Sequence, residues 1–350
     1  MRRRGRLSTM EKSAFVLGAS GQVGRAVMSA LVRDGWQVRA GSRSVHEWPE
    51  GVEGVLVDRE IDAILVTALA HGADVLVDCV AYTDTHARQV LACEGLTGSA
   101  IVLFSVSVYA DSSGRTLDEA QGCDDFPEFP PAVPESHTRV RPSDRTYSTR
   151  KVAMEDVLLS AGAAVPVTVL RPSAIIGPGS IHPRELWFVK RALDHRPVQL
   201  LNWSGQSQFH TSSTVNIAEL VRLAANRPLR CALNAVDPKA PTTAQIGFAI
   251  NDILDHHPET FAIPGSPGMG ETPWSVPKPF VMDMSLATRS LGYEPVMDYS
   301  EALNDTVGWI ASALHGRDWK EAFPTFLRAN GTESFDYEAE DAWVRRHRVP

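Results

Sequence analysis

The sequence predicts an α/β protein built on a doubly wound parallel sheet, in which strands and helices alternate along the chain. The first indication is the short apolar run from Ala14 to Leu17, which is typical of a buried parallel strand. Glycines follow this run, and after them comes a segment whose apolar residues repeat on one face of a helix. Further short apolar runs then alternate with helical segments, as they do in doubly wound sheets.

Three glycines form a GxxGxxG pattern between this first strand and the first helix. Gly18 suits a sharp chain reversal, Gly21 lets a pyrophosphate approach the backbone, and Gly24 allows close helix–strand packing. The N–H groups and the dipole at the helix start favour phosphates. An ordinary structural turn is the alternative, but the position between strand and helix favours dinucleotide binding. The candidate cofactor-binding residues here are Gly18, Ser20, Gly21, Gln22, Val23 and Gly24.

Composition narrows the class of protein. A chain of 350 residues can hold one large α/β domain with a smaller partner. Its formal net charge of −8 does not favour a nucleic-acid-binding surface, and it has no apolar run as long as a membrane span. Its four cysteines lack CxxC spacing and histidine clusters, so we expect no disulfide framework, no metal site and a cytoplasmic location.

Residues 1–12 are predicted to form a disordered basic arm. The arginine-rich start resembles that of a signal peptide. The apolar run that follows is short, however, and its glycine pattern is better explained as a strand and a turn.

The end of the second predicted strand, Gln37 to Ala40, indicates which dinucleotide binds. NAD-binding folds usually carry an acid there, about 20 residues after the glycine turn, to bind the ribose 2′-hydroxyl. This chain carries Ser42 and Arg43 instead, and a guanidinium can clamp a 2′-phosphate that an acid would repel. We therefore predict a preference for NADP(H). NAD(H) stays an alternative, because Arg43 can be an ordinary exposed arginine and Glu47 can fold back onto the ribose.

Three more apolar runs predict strands, at Val55–Val57, Val75–Val80 and Ala100–Phe104. Asp58 follows the first of them, where its carboxylate can accept from an adenine amino group or cap a helix. Ala81 follows the second and Ser105 the third. Ligands of such sheets bind at the carboxyl ends of the strands, so we expect one cleft to hold these residues with the glycine turn.

Tyr147 and Lys151 lie four residues apart at the start of a predicted helix that continues through Leu158, so they share one face. A tyrosine hydroxyl has an ordinary pKa of about 10, and a neighbouring ammonium stabilises the phenolate. Lys151 can also hold the nicotinamide ribose, and Ser105 can donate to the substrate oxygen. A YxxxK pattern alone is common on surface helices. About 40 residues after a strand that ends in serine, it indicates a catalytic set.

Residues 111–143 form an acidic, proline-rich insertion without a helical or strand period. An ordered loop or lid, a partly disordered insertion and a solvated spacer all fit it. Beyond it, the sequence predicts a sixth strand from Val167 to Leu170 and a seventh from Cys231 to Asn234, after a helix from Ile217 to Ala225.

The remaining C-terminal half gives weaker indications. Its aromatic residues favour core packing over a substrate pocket; they are Trp187, Phe188, Trp203, Phe209 and Trp274. His182 and His210 favour structural or exposed roles. The tail from Phe335 to Trp343 is expected to pack back on its domain or on an oligomer partner.

With these motifs the chain resembles the extended short-chain dehydrogenase/reductase superfamily, of the NAD-dependent epimerase/dehydratase type. The matching segments are Gly18–Gly24, Asp58, Asp78–Ala81, Ser105–Tyr109, Tyr147–Lys151, Leu170–Pro178 and Leu291–Pro295. The resemblance implies a Rossmann dinucleotide-binding domain at 13–171 and a smaller, mainly substrate-binding domain at 172–350. It also implies that about 212–235 return to the Rossmann sheet, and that Ser105, Tyr147 and Lys151 are catalytic.

Two departures from this superfamily bear on the substrate. Its sugar-nucleotide dehydratases carry an Asp–Glu pair where this chain has Val106 and Ser107, which disfavours dehydration. Its sugar-nucleotide members place an arginine in the segment that reads Gln208–Ala218 here, without one. The substitutes considered for that arginine are Arg184, Arg191 and Arg196.

The sequence therefore predicts an enzyme, an NAD(P)-dependent oxidoreductase that reduces a carbonyl on a small molecule through Ser105, Tyr147 and Lys151. A nucleotide-sugar epimerase is the alternative, and an inactive dinucleotide-binding regulatory protein is the third reading. We expect no nucleic-acid or membrane partner. A homodimer stays open.

Overall fold

The computed structural model describes residues 12–61, 63–120, 125–160, 164–265 and 268–348. Residues 1–11 of the predicted basic arm lie outside the described residues, as do residues 121–124 of the insertion. Within the described ranges, no helix is both long and apolar enough to cross a membrane.

Strands and helices alternate through the first half of the chain, as the sequence predicts. The strands are β1 Ser13–Leu17, β2 Gln37–Ser42, β3 Val52–Leu56, β4 Ala73–Asp78, β5 Thr97–Leu103, β6 Val167–Pro172, β7 Ala174–Ile176, β8 Val198–Leu201, β9 Thr211–Ser213, β10 Cys231–Ala235 and β11 Glu259–Ala262. The helices are α1 Gln22–Arg33, α2 Ile64–Ala68, α3 Asp84–Leu91, α4 Tyr147–Leu158, α5 Leu186–Leu193, α6 Thr214–Asn226, α7 Thr243–Ile253, α8 Ser285–Leu291, α9 Tyr299–Leu314, α10 Trp319–Ala322, α11 Pro324–Asn330 and α12 Tyr337–His347.

A seven-stranded parallel sheet of order β10–β6–β5–β4–β1–β2–β3 confirms the predicted doubly wound α/β fold. β1 pairs with β2 on one side and with β4 on the other. The reversal of strand order at β1 is the kind of point at which open α/β sheets bind ligands.

Several predicted strand boundaries are wrong, most clearly those of the third and fourth strands. The fourth strand ends at Asp78 rather than Val80, because an Asp78 carboxylate oxygen accepts from the Val80 N–H at 3.0 Å and turns the chain. Val80 is 44% exposed, so it is apolar but lies outside the buried strand. The third strand spans Val52–Leu56 rather than residues 55–57, and its backbone pairs with β2 up to Ser42.

The chain divides into two compact units, each discontinuous in sequence. The first comprises residues 1–103, 154–169 and 218–231, and the second comprises residues 104–153, 170–217 and 232–350. The predicted cofactor and substrate domains at 13–171 and 172–350 describe a functional division, which stays a prediction.

Aromatic side chains of the second unit form its core, as the sequence favours. Trp187, Phe188 and Trp274 are almost completely buried. The C-terminal tail packs back on its own unit, which was one of the two predicted alternatives; the other was packing on an oligomer partner. Arg196 of the unit bonds Asp341 of α12 at 2.6 Å, and the rings of Phe261 and Trp343 meet edge to face.

The described part of the 111–143 insertion is an ordered loop tied to the second unit. Bridges join Tyr109 to Arg139 and Val133 to Met282. A Glu135 carboxylate oxygen accepts from the Asn234 N–H at 2.9 Å. The predicted alternative of a solvated spacer therefore does not describe these residues.

Candidate active site

The turn between β1 and α1 has the backbone geometry that its glycines predict. Gly18 has a φ of +82°, and a Cβ at that position would lie 2.5 Å from a methyl group of Val80. The N–H groups of Gly18 and Ala19 both donate to the Gly41 carbonyl, at 3.0 and 3.1 Å. The turn is therefore fixed against the end of β2, and a side chain at position 18 is excluded.

The start of α1 is open to a ligand on one side and closely packed on the other. A Cβ on Gly24 would lie 2.2 Å from the Gly18 carbonyl oxygen, so only glycine lets the helix approach the turn this closely. Gly21 is the N-cap of α1 and is exposed; no side chain caps the helix there. A Cβ on Gly21 would meet only the Gly18 oxygen, at 3.3 Å, and would otherwise extend outward. An uncapped helix start beside an exposed glycine fits the pyrophosphate of a dinucleotide.

The next candidate residues follow the ends of β2, β3 and β4. These strands and β1 are neighbours in a parallel sheet, so their carboxyl ends lie along one edge. Ser42 is buried and donates to the Ser44 carbonyl at 2.7 Å, whereas Arg43 is exposed. Ala81 is buried. The first unit thus collects all the predicted cofactor residues outside the Tyr–Lys pair on one edge.

Asp58 and Glu47 occupy positions that refine the predicted cofactor site. An Asp58 carboxylate oxygen accepts from the Glu60 N–H at 3.1 Å, so it closes a turn. It does not cap α2, whose N-cap is Ala63, and that part of the alternative is wrong. Glu47 lines a cavity of about 270 Å³ together with Arg25 and Arg33 of α1.

A buried ion pair that the sequence did not predict holds the loops after β3 and β4. Arg59 donates to both carboxylate oxygens of Asp78, at 2.9 and 2.7 Å, and the two residues are 5% and 0% exposed. Arg59 also donates to the Gln89 side chain at 3.1 Å. Because Arg59 follows Asp58 and Asp78 ends β4, the pair fixes the spacing between the segments that carry Asp58 and Ala81.

The predicted catalytic residues all lie in the second unit. Ser105 caps a short 3₁₀ helix, and its hydroxyl oxygen accepts from the Ser107 N–H at 3.1 Å. α4 begins at Tyr147, which places Lys151 one turn further along the same face. The buried Lys151 ammonium lies 5.7 Å from the centre of the Tyr147 ring and 4.9 Å from that of Phe104. The positive charge is thus held close to the tyrosine and away from water.

The insertion supplies a carboxylate to the helix that carries Tyr147. Asp118 accepts from the Ser148 N–H at 2.8 Å, in the first turn of α4. Thr116 and Glu119 form a capping box that fixes the segment around Asp118. The Thr-x-x-Glu spacing is a sequence pattern typical of a helix start. The contact of Asp118 with α4 joins residues 30 positions apart, so the sequence does not predict it.

The positions of the dehydratase Asp–Glu pair carry no acid or base here. Val106 and Ser107 are both buried. Within the described residues the Ser107 hydroxyl has no hydrogen-bond partner. Neither side chain can carry out the proton transfers that a dehydration needs.

Two of the three arginines considered as substitutes for the missing substrate arginine are already paired. Arg191 is buried and forms an ion pair with Glu340, and burial lowers the pKa of Arg191 while Glu340 opposes that shift. Arg196 bonds Asp341 at 2.6 Å. Both therefore anchor α12 and already have an acidic partner, whereas Arg184 forms no ion pair with a described residue.

His210 has the structural role that the sequence favours. Burial lowers its pKa to about 4, so the ring is neutral. Its Nδ1 accepts from the Met282 N–H at 3.1 Å, which leaves Nε2 to donate to the Asp237 carbonyl at 2.9 Å.

Comparison with known proteins places these features in a family. The model of the NAD dependent epimerase/dehydratase family matches residues 14–228. Search of the curated proteins gave no match. Described residues contain no group of three or more His, Cys, Asp and Glu side chains arranged to hold a metal ion.

Several solved structures share the fold at low sequence identity. UDP-N-acetylglucosamine 4-epimerase from Bacillus cereus is 15% identical, with a TM-score of 0.64 over 86% of this chain and 99% of that one. UDP-glucose 4-epimerase from Thermotoga maritima is 16% identical, with a TM-score of 0.66 over 86% and 99%. dTDP-glucose 4,6-dehydratase from Bacillus anthracis, in complex with NAD, is 13% identical, with a TM-score of 0.66 over 89% and 99%. At these identities the likeness concerns the fold alone.

The two glycines at the helix start give a test of the dinucleotide site. We expect Gly21→Ala to keep the wild-type melting temperature, because its φ of −76° suits alanine and the added Cβ extends outward. The same Cβ would occupy the space next to a pyrophosphate, so affinity for NADPH should fall at least about tenfold, or ~1.4 kcal/mol. Thermal melting and fluorescence titration with NADPH measure the two effects.

Ser29→Ala, at an exposed position further along α1, is the matched control and should leave both quantities unchanged. If Gly21→Ala bound NADPH with wild-type affinity, the assignment of the glycine turn to the cofactor site would be wrong.

Proposed function

The chain belongs to the NAD-dependent epimerase/dehydratase family, and we propose that it is an oxidoreductase that reduces a carbonyl group of a small molecule with NADPH. The observation that carries this proposal is the position of the buried Lys151 ammonium, 5.7 Å from the centre of the Tyr147 ring. We further propose that it is a cytoplasmic enzyme without nucleic-acid or membrane partners. A homodimer stays an open alternative.

Each catalytic residue has a role that follows from its chemistry. A reduced nicotinamide dinucleotide bound at the glycine turn would supply the hydride. The Ser105 hydroxyl, whose oxygen already accepts one hydrogen bond, would donate to the carbonyl oxygen and orient it. Tyr147 would give its proton to the oxygen as negative charge develops there. Lys151 would stabilise the resulting phenolate and hold the nicotinamide ribose.

The preference for NADPH rests on the end of β2. No acid stands at Ser42 or Arg43, where an NAD-binding chain usually carries one. Arg43 is exposed, so its guanidinium can turn to a 2′-phosphate without breaking a buried contact. Glu47 lines a cavity with Arg25 and Arg33, which supports the view that its carboxylate belongs to the α1 surface rather than to the ribose.

Removing Arg43 tests the cofactor preference. We expect Arg43→Ala to lose at least about tenfold in NADPH affinity, since a charge-assisted bidentate contact disappears, and to keep its NADH affinity. Arg33→Ala removes the same charge from the exposed C-terminal end of α1 and should change neither affinity. Fluorescence titration with both dinucleotides measures this. Equal wild-type affinities for NADPH and NADH would refute the assignment.

A nucleotide-sugar epimerase is the second candidate. Solved structures with this fold include epimerases that act on UDP-sugars, as their names state. An epimerase oxidises and then re-reduces one carbon with a cofactor that stays bound. The residues at Val106 and Ser107 disfavour dehydration, but they do not bear on epimerisation.

Cofactor stoichiometry separates the two candidates. For a reductase, we expect one NADPH to be consumed for each carbonyl reduced, and the oxidised dinucleotide to be released. Absorbance of the reduced nicotinamide, followed with a panel of activated ketones, measures this. An epimerase would isomerise a UDP-sugar with no net change in that absorbance and would purify with its cofactor. That result would favour the epimerase over the reductase.

Substitutions in the catalytic set test the mechanism. Tyr147→Phe removes only a hydroxyl, so the fold and cofactor affinity should survive while the turnover rate falls by about 10²–10⁴-fold. Lys151→Met should lower both rate and cofactor affinity, because Lys151 is assigned to both Tyr147 and the ribose. Ser105→Ala should lower the rate with cofactor affinity nearly intact. Steady-state kinetics with NADPH and the best ketone measure these effects.

Ser107→Ala is the control for the serine pair and should have little effect on rate. Near wild-type turnover in Tyr147→Phe would refute the mechanism. It would then favour the third reading, a dinucleotide-binding regulatory protein without this chemistry.

A further inference from the structure

A small cavity in the second unit contains an arginine that the proposed mechanism does not use. The cavity measures about 160 Å³ and is lined by His182, Arg184, Pro273, Phe326, Ala329 and Asn330. Arg184 lies in the loop between β7 and α5. Arg191 and Arg196 pair with acids of α12, whereas Arg184 does not.

The guanidinium of Arg184 lies near two aromatic rings and forms no ion pair with a described residue. Its central carbon lies over the ring of Phe209, 5.6 Å from the ring centre, and 5.5 Å from that of Trp274. Burial lowers the pKa of Arg184 from its very high ordinary value, and Glu185 opposes that shift. With all described acids considered, Arg184 takes part in no ion pair. Because Arg184 lines the cavity, its N–H groups can meet a ligand there.

The titratable neighbours of Arg184 offset this charge only in part. Burial raises the pKa of Glu185 to about 7, and the carboxylate accepts from the Tyr299 hydroxyl at 3.5 Å rather than from Arg184. Burial, Arg184 and Arg328 all lower the pKa of His182, so the imidazole that lines the cavity is neutral. Among the residues that line the cavity, Arg184 thus carries the one permanent positive charge.

A second donor beside Arg184 also lacks an acceptor. Trp274 is 1% exposed, and its indole N–H makes no hydrogen bond to any described residue. Buried donors are paired in most proteins, and an unpaired one costs about 1–3 kcal/mol. Trp274 does not itself line the cavity, so the Arg184 guanidinium is the donor on which the site depends.

We propose that this cavity binds a small carboxylate, which the guanidinium of Arg184 holds. The planar guanidinium matches the two oxygens of a carboxylate, and a single positive charge balances a monoanion. The cavity volume suits an acid of a few heavy atoms. The carboxylate belongs either to the carbonyl substrate itself or to a separate small acid, and the experiments below distinguish these sources.

The first experiment measures binding without cofactor, so its outcome does not depend on the proposed reductase function. Saturation-transfer NMR at constant ionic strength compares propionate with the isosteric neutral propionamide and with inorganic phosphate. We expect propionate to saturate, propionamide not to, and phosphate to bind more weakly than propionate. Arg184→Met keeps an apolar stem near the rings and should lower propionate affinity at least about tenfold.

Arg317→Met is the matched control. Arg317 is exposed, lies in the second unit and does not line the cavity, so its removal should leave propionate affinity within about twofold of the wild-type value. Equal binding of propionamide and propionate, tighter binding of phosphate, or unchanged affinity in Arg184→Met would each overturn the proposal. Thermal melting checks that the variants fold.

Arg184→Lys keeps the test decisive if Arg184→Met does not fold. Lysine retains the charge but lacks the planar fork, so we expect propionate to bind several-fold more weakly. Wild-type affinity in this variant would overturn the bidentate site.

Pyruvate with NADPH distinguishes the two sources of the carboxylate. Turnover of pyruvate, with KM raised and kcat kept in Arg184→Met, would support the proposal with the carboxylate on the substrate. Saturable pyruvate binding without NADPH consumption would support it with a separate ligand. If no ketone is ever reduced, the proposed function fails while the propionate result stands by itself.

Discussion

The close approach of α1 to β1 is the constraint on which the first unit depends. Gly24 leaves no space between the helix and the Gly18 carbonyl, and the turn is bonded to the end of β2. The uncapped start of α1 is therefore held at the sheet edge where β2, β3 and β4 also end. Because α1 packs tightly against the Gly18 carbonyl, its dipole and its free N–H groups lie at the same edge as the residues that follow the strands. A larger residue at position 24 would push the start of α1 away from the edge of the sheet at which the predicted cofactor residues lie.

Buried polar contacts then fix the loops that carry the functional residues. Arg59 and Asp78 hold the loops after β3 and β4, and Asp118 holds the first turn of α4. In the second unit, Asp237 is completely buried and accepts from Thr211, Ser213 and Asn216. A buried ion pair such as Arg59–Asp78 adds little net stability, because desolvation offsets its attraction, but removing one partner costs about 3–5 kcal/mol. These polar contacts make one conformation of each loop much more stable than its alternatives.

The sequence predicts most strongly what is local. β1, the glycine turn and the helix from Tyr147 to Leu158 follow from apolar runs, glycines and spacing, and the structure has them as predicted. The end of β4 was misplaced because Val80 is apolar, and only the Asp78 side chain shows that the chain turns there. Contacts between distant segments were not predictable. Arg191 meets Glu340 across 149 residues, and no periodicity in the chain connects them. For the same reason the sequence could name three candidate arginines but could not tell which one is uncommitted.

That last distinction bears on the substrate more than any motif does. α12 neutralises Arg191 and Arg196, so the charge that they would bring to a ligand is already used in folding. A sugar-nucleotide diphosphate carries more than one negative charge, and Arg184 supplies one positive charge in a cavity of about 160 Å³ beside a neutral His182. Within the second unit, the charge and volume of this cavity therefore match a small monoanionic acid better than a diphosphate, which is why we propose a small carboxylate as its ligand.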